Sequence, residues 1–120
     1  MTERIDAKEY ASVVRKKNKY GAKKVVTEEG TFDSKKEYAR WCELKLLEKA
    51  RDIKKLSHHE LFPLEVSGKL IKTYEADFTY FDHRTMRWTI EDSKGVRTPE
   101  WRITKKLLQA LLPSWTIVES

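Results

Sequence analysis

Apolar positions along the chain fall into blocks whose spacing changes from one element type to the next. Val25-Val26-Thr27 and Thr31-Phe32 flank Glu28-Glu29-Gly30, which reads as a short hairpin with Gly30 in a left-handed turn. Ser34 then opens a helix as its N-cap, and Glu37, three residues on, completes a capping box. This helix is predicted to run to about Arg51. Its apolar residues, Tyr38, Ala39, Trp41, Cys42, Leu44, Leu46, Leu47 and Ala50, surround much of the axis. Such a helix is expected to be covered on more than one side.

From Ile53 the pattern turns strand-like. Leu56, Leu61, Phe62, Leu64 and Val66 form a first strand region, interrupted by Pro63. Gly68 marks a turn. Leu70 to Phe81 is a second strand region, alternating through Tyr74, Ala76, Phe78 and Tyr80. Asp82-His83-Arg84-Thr85 is a turn, and Met86 to Lys94 a third strand that pairs with the second as a hairpin. Thr98-Pro99-Glu100 opens a second helix, with Pro99 at its first position. That helix continues to about Leu112 before Pro113, with Ile103, Leu107, Leu108 and Leu111 toward the core. Trp115 to Val118 is a final strand. The predicted order is helix, three strands, helix, strand: an α/β domain with a mixed, partly antiparallel sheet flanked by helices.

A length of 120 residues suits one domain, here 25–120 after a basic extension over 1–24. The hydrophobic fraction of 39% supplies one core, and 37% charged residues wrap it. The net charge of +6 and pI near 9.4 favour polyanionic partners, of which nucleic acid is the commonest. Arg15, Lys16, Lys17, Lys19, Lys23 and Lys24 suit an arm that neutralises phosphates, and Tyr20 adds a stacking surface. Arg97, just past the third strand, and Arg102, Lys105 and Lys106 on the second helix extend the set, with Trp101 nearby.

A single cysteine, Cys42, allows no internal disulfide; it is expected to be a buried structural thiol in a protein of the reducing cytoplasm. The first residues lack the apolar stretch of a signal peptide, and no apolar run is long enough to span a bilayer, so a membrane location is not expected. His58-His59 is not expected to bind zinc, because adjacent strand residues point to opposite faces. His59 or Glu60 could line a cleft. No glycine-rich phosphate loop is present, so no nucleotide cofactor is expected.

Three features carry chemistry. Asp77 interrupts an apolar strand, Asp92-Ser93-Lys94 ends the neighbouring strand, and Glu37 stands near the start of the first helix. Alternation puts Asp92 and Lys94 on one face, roughly 7 Å apart. Glu91 then points the other way, with Arg87 and Thr89. A hairpin partner brings Asp77 beside Asp92, and a hard divalent cation relieves the repulsion between two such carboxylates. A nearby lysine orients or deprotonates an attacking water, or stabilises developing negative charge.

Asp77 followed by Asp92-Ser93-Lys94 resembles the signature of the PD-(D/E)XK nucleases. Thr31-Phe32-Asp33-Ser34-Lys35-Lys36-Glu37 looks like the helix-opening acidic motif of many members. Lys19 to Lys24 and Lys94 to Glu100 are similar to a small phage-associated, Holliday-junction-resolvase-like branch. The resemblance covers roughly residues 18 to 118, and Ala76 stands where the signature has proline. It implies a restriction-endonuclease-like core and Mg²⁺ held by Asp77, Asp92 and Glu37, with Mn²⁺ able to substitute. Lys94 would be the catalytic lysine. Glu91 is the alternate for Asp92 if a bulge shifts the register, and Glu43 the alternate for Glu37. The implied function is hydrolysis of DNA phosphodiesters, with branched DNA the leading substrate and a homodimer suited to a symmetric junction. For a phage-encoded enzyme the location would be the host cytoplasm. The competing expectation is a non-catalytic nucleic-acid-binding or phage–host interaction protein.

Overall fold

The computed structural model describes residues 23–93 and 98–120. Arg15, Lys16, Lys17, Lys19, Lys94 and Arg97 lie outside the described residues. The chain divides into two compact units, residues 1–43 and 44–120, and the division falls within the first helix.

In the first unit, β1 (Val25–Thr27) and β2 (Gly30–Phe32) form the expected antiparallel hairpin. Gly30 has a φ of 135°, a value side chains resist, which is why glycine closes this turn. Helix α1 (Lys35–Lys49) follows at once. The Ser34 hydroxyl accepts the Glu37 N–H at 3.1 Å, as a capping residue should, while Glu37 Oε1 reaches back to the Asp33 N–H at 3.1 Å. Phe32 is fully buried, its ring 5.3 Å from Tyr38 and 5.7 Å from Trp41.

The burial of α1 corrects the expectation of cover on several sides. Its buried positions are Glu37, Trp41 and Leu44, at helical spacing along one stripe, while Leu46 is 67% exposed. Cys42 lies off that stripe and is exposed, so it is not the buried thiol expected. The helix ends in a Schellman motif: the Asp52 N–H donates to the Leu47 carbonyl and the Arg51 N–H to the Glu48 carbonyl, with Arg51 at φ 67°.

The second unit is α/β with a mixed sheet. Its four-stranded sheet has the order β3 (Ile53–His58), β6 (Phe78–Asp82), β7 (Arg87–Asp92), β8 (Thr116–Glu119). The first three pair antiparallel and β7–β8 pair parallel. Parallel neighbours need a crossover, supplied by helix α2 (Pro99–Leu111). Strands β4 (Leu61–Val66) and β5 (Lys69–Glu75) form a separate antiparallel hairpin.

Two regions read as single strands are each divided. Region 53–66 breaks at His59, which takes a φ of 58°, and region 70–81 breaks at Ala76-Asp77. Both breaks coincide, because the His59 N–H donates to the Asp77 carbonyl and the Ala76 N–H to the Glu60 carbonyl. Five strands therefore stand between the helices where three were expected. A further irregularity in β3, between Lys54 and Ser57, leaves the Leu56 N–H to Glu48 Oε2 of α1, at 3.1 Å.

The core of this unit joins Leu64 and Tyr74 of the hairpin, Ala76, Ile90 of β7, and Trp101 and Leu108 of α2. Buried positions on α2 are Trp101, Thr104 and Leu108, and Thr98 caps the helix by accepting the Trp101 N–H at 3.1 Å. Trp101 is thus a core residue, 4% exposed, rather than a surface ring for DNA. Ile103, expected inside, is 69% exposed because it lies beside that buried stripe. Lys72 of β5 ties the hairpin to α2 by reaching Thr104 Oγ1 at 2.9 Å and Glu100 at 3.2 Å. Among the described residues no helix is long and apolar enough to cross a membrane.

Candidate active site at the ends of the central strands

Strands β6 and β7 are in register from Phe78↔Glu91 to Asp82↔Arg87. Asp77 lies one residue before β6, in a bend, and Asp92 is the last residue of β7. Two bonds hold this arrangement. The Ser93 N–H donates to Asp77 Oδ2 at 2.6 Å, and the Tyr74 hydroxyl donates to Asp92 Oδ2 at 2.5 Å. Asp77 is half-buried, whereas Asp92 and Tyr74 are buried.

Burial pushes the Tyr74 hydroxyl well above its ordinary value, and the charge of Asp92, its hydrogen bond and the charge of Asp77 act in the same direction. The phenol therefore stays protonated and donates to the carboxylate throughout the neutral range.

Glu91 behaves as alternation requires. It points away from Asp92, is fully buried, and accepts from the Tyr80 hydroxyl at 2.8 Å. No bulge interrupts β6–β7, so Glu91 and Asp92 keep to opposite faces of the strand. The histidine pair departs from alternation: His58 Nδ1 and His59 Nδ1 lie 3.2 Å apart, because the left-handed backbone of His59 turns its ring back toward its neighbour. Glu60 accepts from the Thr79 hydroxyl at 2.7 Å.

Beside Asp92, the parallel register sets Glu119 of β8 opposite it, and the Ser120 N–H donates to the Asp92 carbonyl at 3.0 Å. Glu119 carries the strand end into a groove lined by Trp101, Arg102, Lys105, Lys106 and Gln109 of α2. Lys105 is ion-paired to Glu119, while Arg102 and Lys106 are exposed. Three of the cations singled out in the sequence thus line a groove together with Glu119, the β8 partner of Asp92.

In the first unit Glu37 is buried, and Asp33 brings a carboxylate oxygen to within 4.8 Å of one of its own. Asp33 also takes the Lys24 ammonium at 2.7 Å, while Lys23 is exposed. Glu43, the alternate to Glu37, is exposed and ion-paired with Arg40 at 3.1 Å. The residues missed in the sequence are Tyr74 and Glu119, while Asp33 stood inside the helix-opening acidic motif without a role of its own. Tyr74 carried no signal, because it counted as one more apolar position of an alternating strand.

The family model described as "Protein of unknown function (DUF1064)" matches residues 17–117. The chain belongs to the DUF1064 family. No curated protein and no solved structure gives a match. The DUF1064 region takes in Glu37, Asp77, Asp92 and the position of Lys94, together with the whole of α2.

The donor set suits a hard cation. Asp77 and Asp92 are both carboxylates, and no softer ligand stands between them in the paired strands. Oxygen donors of this kind favour Mg²⁺ or Mn²⁺ over zinc. Tyr74 and the Ser93 N–H fix the two side chains in place, which limits their freedom to swing apart.

Proposed function

We propose that this DUF1064 chain is a metal-dependent endonuclease of DNA, built on a restriction-endonuclease-like core of the PD-(D/E)XK type. The observation that carries the reading is Asp77 just before β6 and Asp92 at the end of β7, held by the Ser93 N–H and the Tyr74 hydroxyl, with Glu119, the strand partner of Asp92, lining the Arg102–Lys105–Lys106 groove.

Asp77 and Asp92 would hold Mg²⁺, with Mn²⁺ able to substitute. The cation supplies polarisation of a phosphodiester oxygen and a bound water of lowered pKa. Tyr74 keeps Asp92 oriented by donating to one of its oxygens, and the backbone N–H of Ser93 does the same for Asp77. Arg102 and Lys106 bind the phosphate backbone and set its distance from the carboxylates. The resemblance assigns Lys94 to orient the attacking water and Glu37 to complete the acidic set; variants of both test those assignments directly. Branched DNA as substrate, processed by a homodimer during phage recombination, rests on the same resemblance.

The test uses a labelled four-way junction, its matched duplex and a single strand, with Mg²⁺, Mn²⁺ or EDTA. Cleavage is expected in Mg²⁺ and Mn²⁺, absent in EDTA, and reduced at least about 100-fold in Asp77→Ala, Asp92→Ala and Lys94→Ala. Glu37→Ala is expected to fall by a smaller factor. Binding without cleavage in any metal, unchanged by these substitutions, would replace the nuclease with a non-catalytic binding protein.

A further inference from the structure

At the opposite end of β6 and β7 from the carboxylates, five rings form an unbroken ladder. Phe62 meets Trp115 edge-on at 5.5 Å, Trp115 stacks on Trp88 at 5.6 Å with 27° between planes, Trp88 meets Phe81 at 5.5 Å, and Phe81 meets His83 at 5.5 Å. Phe62 and Trp115 pack against the core, so the ladder leads from the interior outward. Its middle ring, Trp88, is 38% exposed, and Met86, two residues earlier, is 67% exposed. Arg87 holds the ladder from below: it donates to Thr116 Oγ1 at 2.9 Å and to the carbonyls of Pro113 and Trp115 at 3.2 Å. These bonds tie the Trp115 backbone to β7.

The surroundings are cationic. The Lys54 ammonium lies 5.1 Å from the Phe81 ring centre. Strand pairing sets segment 51–55 beside Phe81, and that segment carries the exposed cations Arg51, Lys54 and Lys55 against Asp52. Asp82 and Arg84 are ion-paired at 3.1 Å, so this pair adds little net charge to the face.

We propose that the exposed Trp88 ring, set edge-to-face with Phe81 and with Lys54 over Phe81, is a platform for an unpaired base of single-stranded nucleic acid. Rigid aromatic faces accept bases of any sequence, and the flanking cations neutralise the backbone. Duplex is disfavoured, because its bases already stack on one another and present only their edges. A second copy of the chain is also disfavoured, because apposing this face to itself would bring the same cations together. The platform lies about 13 Å along β6 from Asp77, four residues at strand rise, so one bound strand could span both places.

The binding test stands apart from cleavage, because it runs in EDTA. Anisotropy of a labelled oligo-dT strand and of a matched duplex is measured with wild type, Trp88→Leu, Trp88→Phe and Lys54→Ala. Leucine keeps apolar cover on Trp115 but removes the stacking face, so folding, followed by circular dichroism, is expected to be retained. Trp88→Leu is expected to weaken oligo-dT binding about 10-fold while leaving duplex affinity unchanged, and Trp88→Phe to recover most of the loss. Lys54→Ala is expected to lower the salt slope by about one contact. Equal affinity of Trp88→Leu and wild type for oligo-dT would overturn the proposal, as would equal losses on strand and duplex. A dimer in sedimentation that Trp88→Leu dissolves, with oligo-dT binding untouched, would assign the face to a second copy instead.

Discussion

Tyr74 sits in a strand as one more apolar position, yet its hydroxyl holds the buried carboxylate of Asp92 at 2.5 Å. Removing that donor leaves a buried charge short of a partner, which costs more than an ordinary hydrogen bond. Tyr74→Phe is expected to lower stability by about 2 kcal/mol, read as a shift of the urea midpoint with an unchanged slope. The pH dependence has a definite sign. Burial and the two acids raise the folded value of the phenol above its unfolded one, so the stabilisation is complete below the unfolded value. It is lost as pH climbs beyond about 10, where the unfolded chain ionises first. Wild type should therefore lose stability on the alkaline side more steeply than Tyr74→Phe. Matching alkaline profiles in the two proteins would count against a buried, neutral Tyr74.

Among the elements, the end of α1 shows how a side chain can occupy a place that glycine suits better. Arg51 closes the Schellman motif at φ 67°, and left-handed backbone costs an L-residue about 1 kcal/mol. Arg51→Gly is expected to stabilise the fold by several tenths to about 1 kcal/mol, measured by thermal or urea unfolding. Destabilisation would mean that the arginine makes contacts worth more than the strain. The same capping logic was legible in advance at the other ends. Ser34 and Thr98 were identifiable as N-caps from residue type alone, and both accept the backbone N–H three residues on. The strand boundaries were less legible. Periodicity runs straight through Ala76-Asp77, because alternation continues across a break between two sheets.

For the molecule as a whole, charge matters through the α2 groove. Arg102 and Lys106 are exposed there, while Lys105 is held by Glu119. Arg102→Ala and Lys106→Ala are each expected to weaken duplex binding and to lower the slope of log affinity against log salt by about one. Lys105→Ala is expected to change that slope less, because its charge is already paired. Equal slopes in all three variants and wild type would move the backbone track off this groove.

The sequence alone determined the local chemistry: both helices with their caps, the β6–β7 hairpin, and the alternation that separates Asp92 from Glu91. These depend on residue type and on periods of two and 3.6, which act over a few neighbours. Only the tertiary structure decided which strands share a sheet, that the β4–β5 hairpin stands apart, and that Trp101 is core while Ile103 is surface. It also decided that Tyr74 meets Asp92 and that Trp88 stacks on Trp115. Those pairings join residues 18 and 27 positions apart, and such contacts are selected by the packing of the whole core rather than by any local preference.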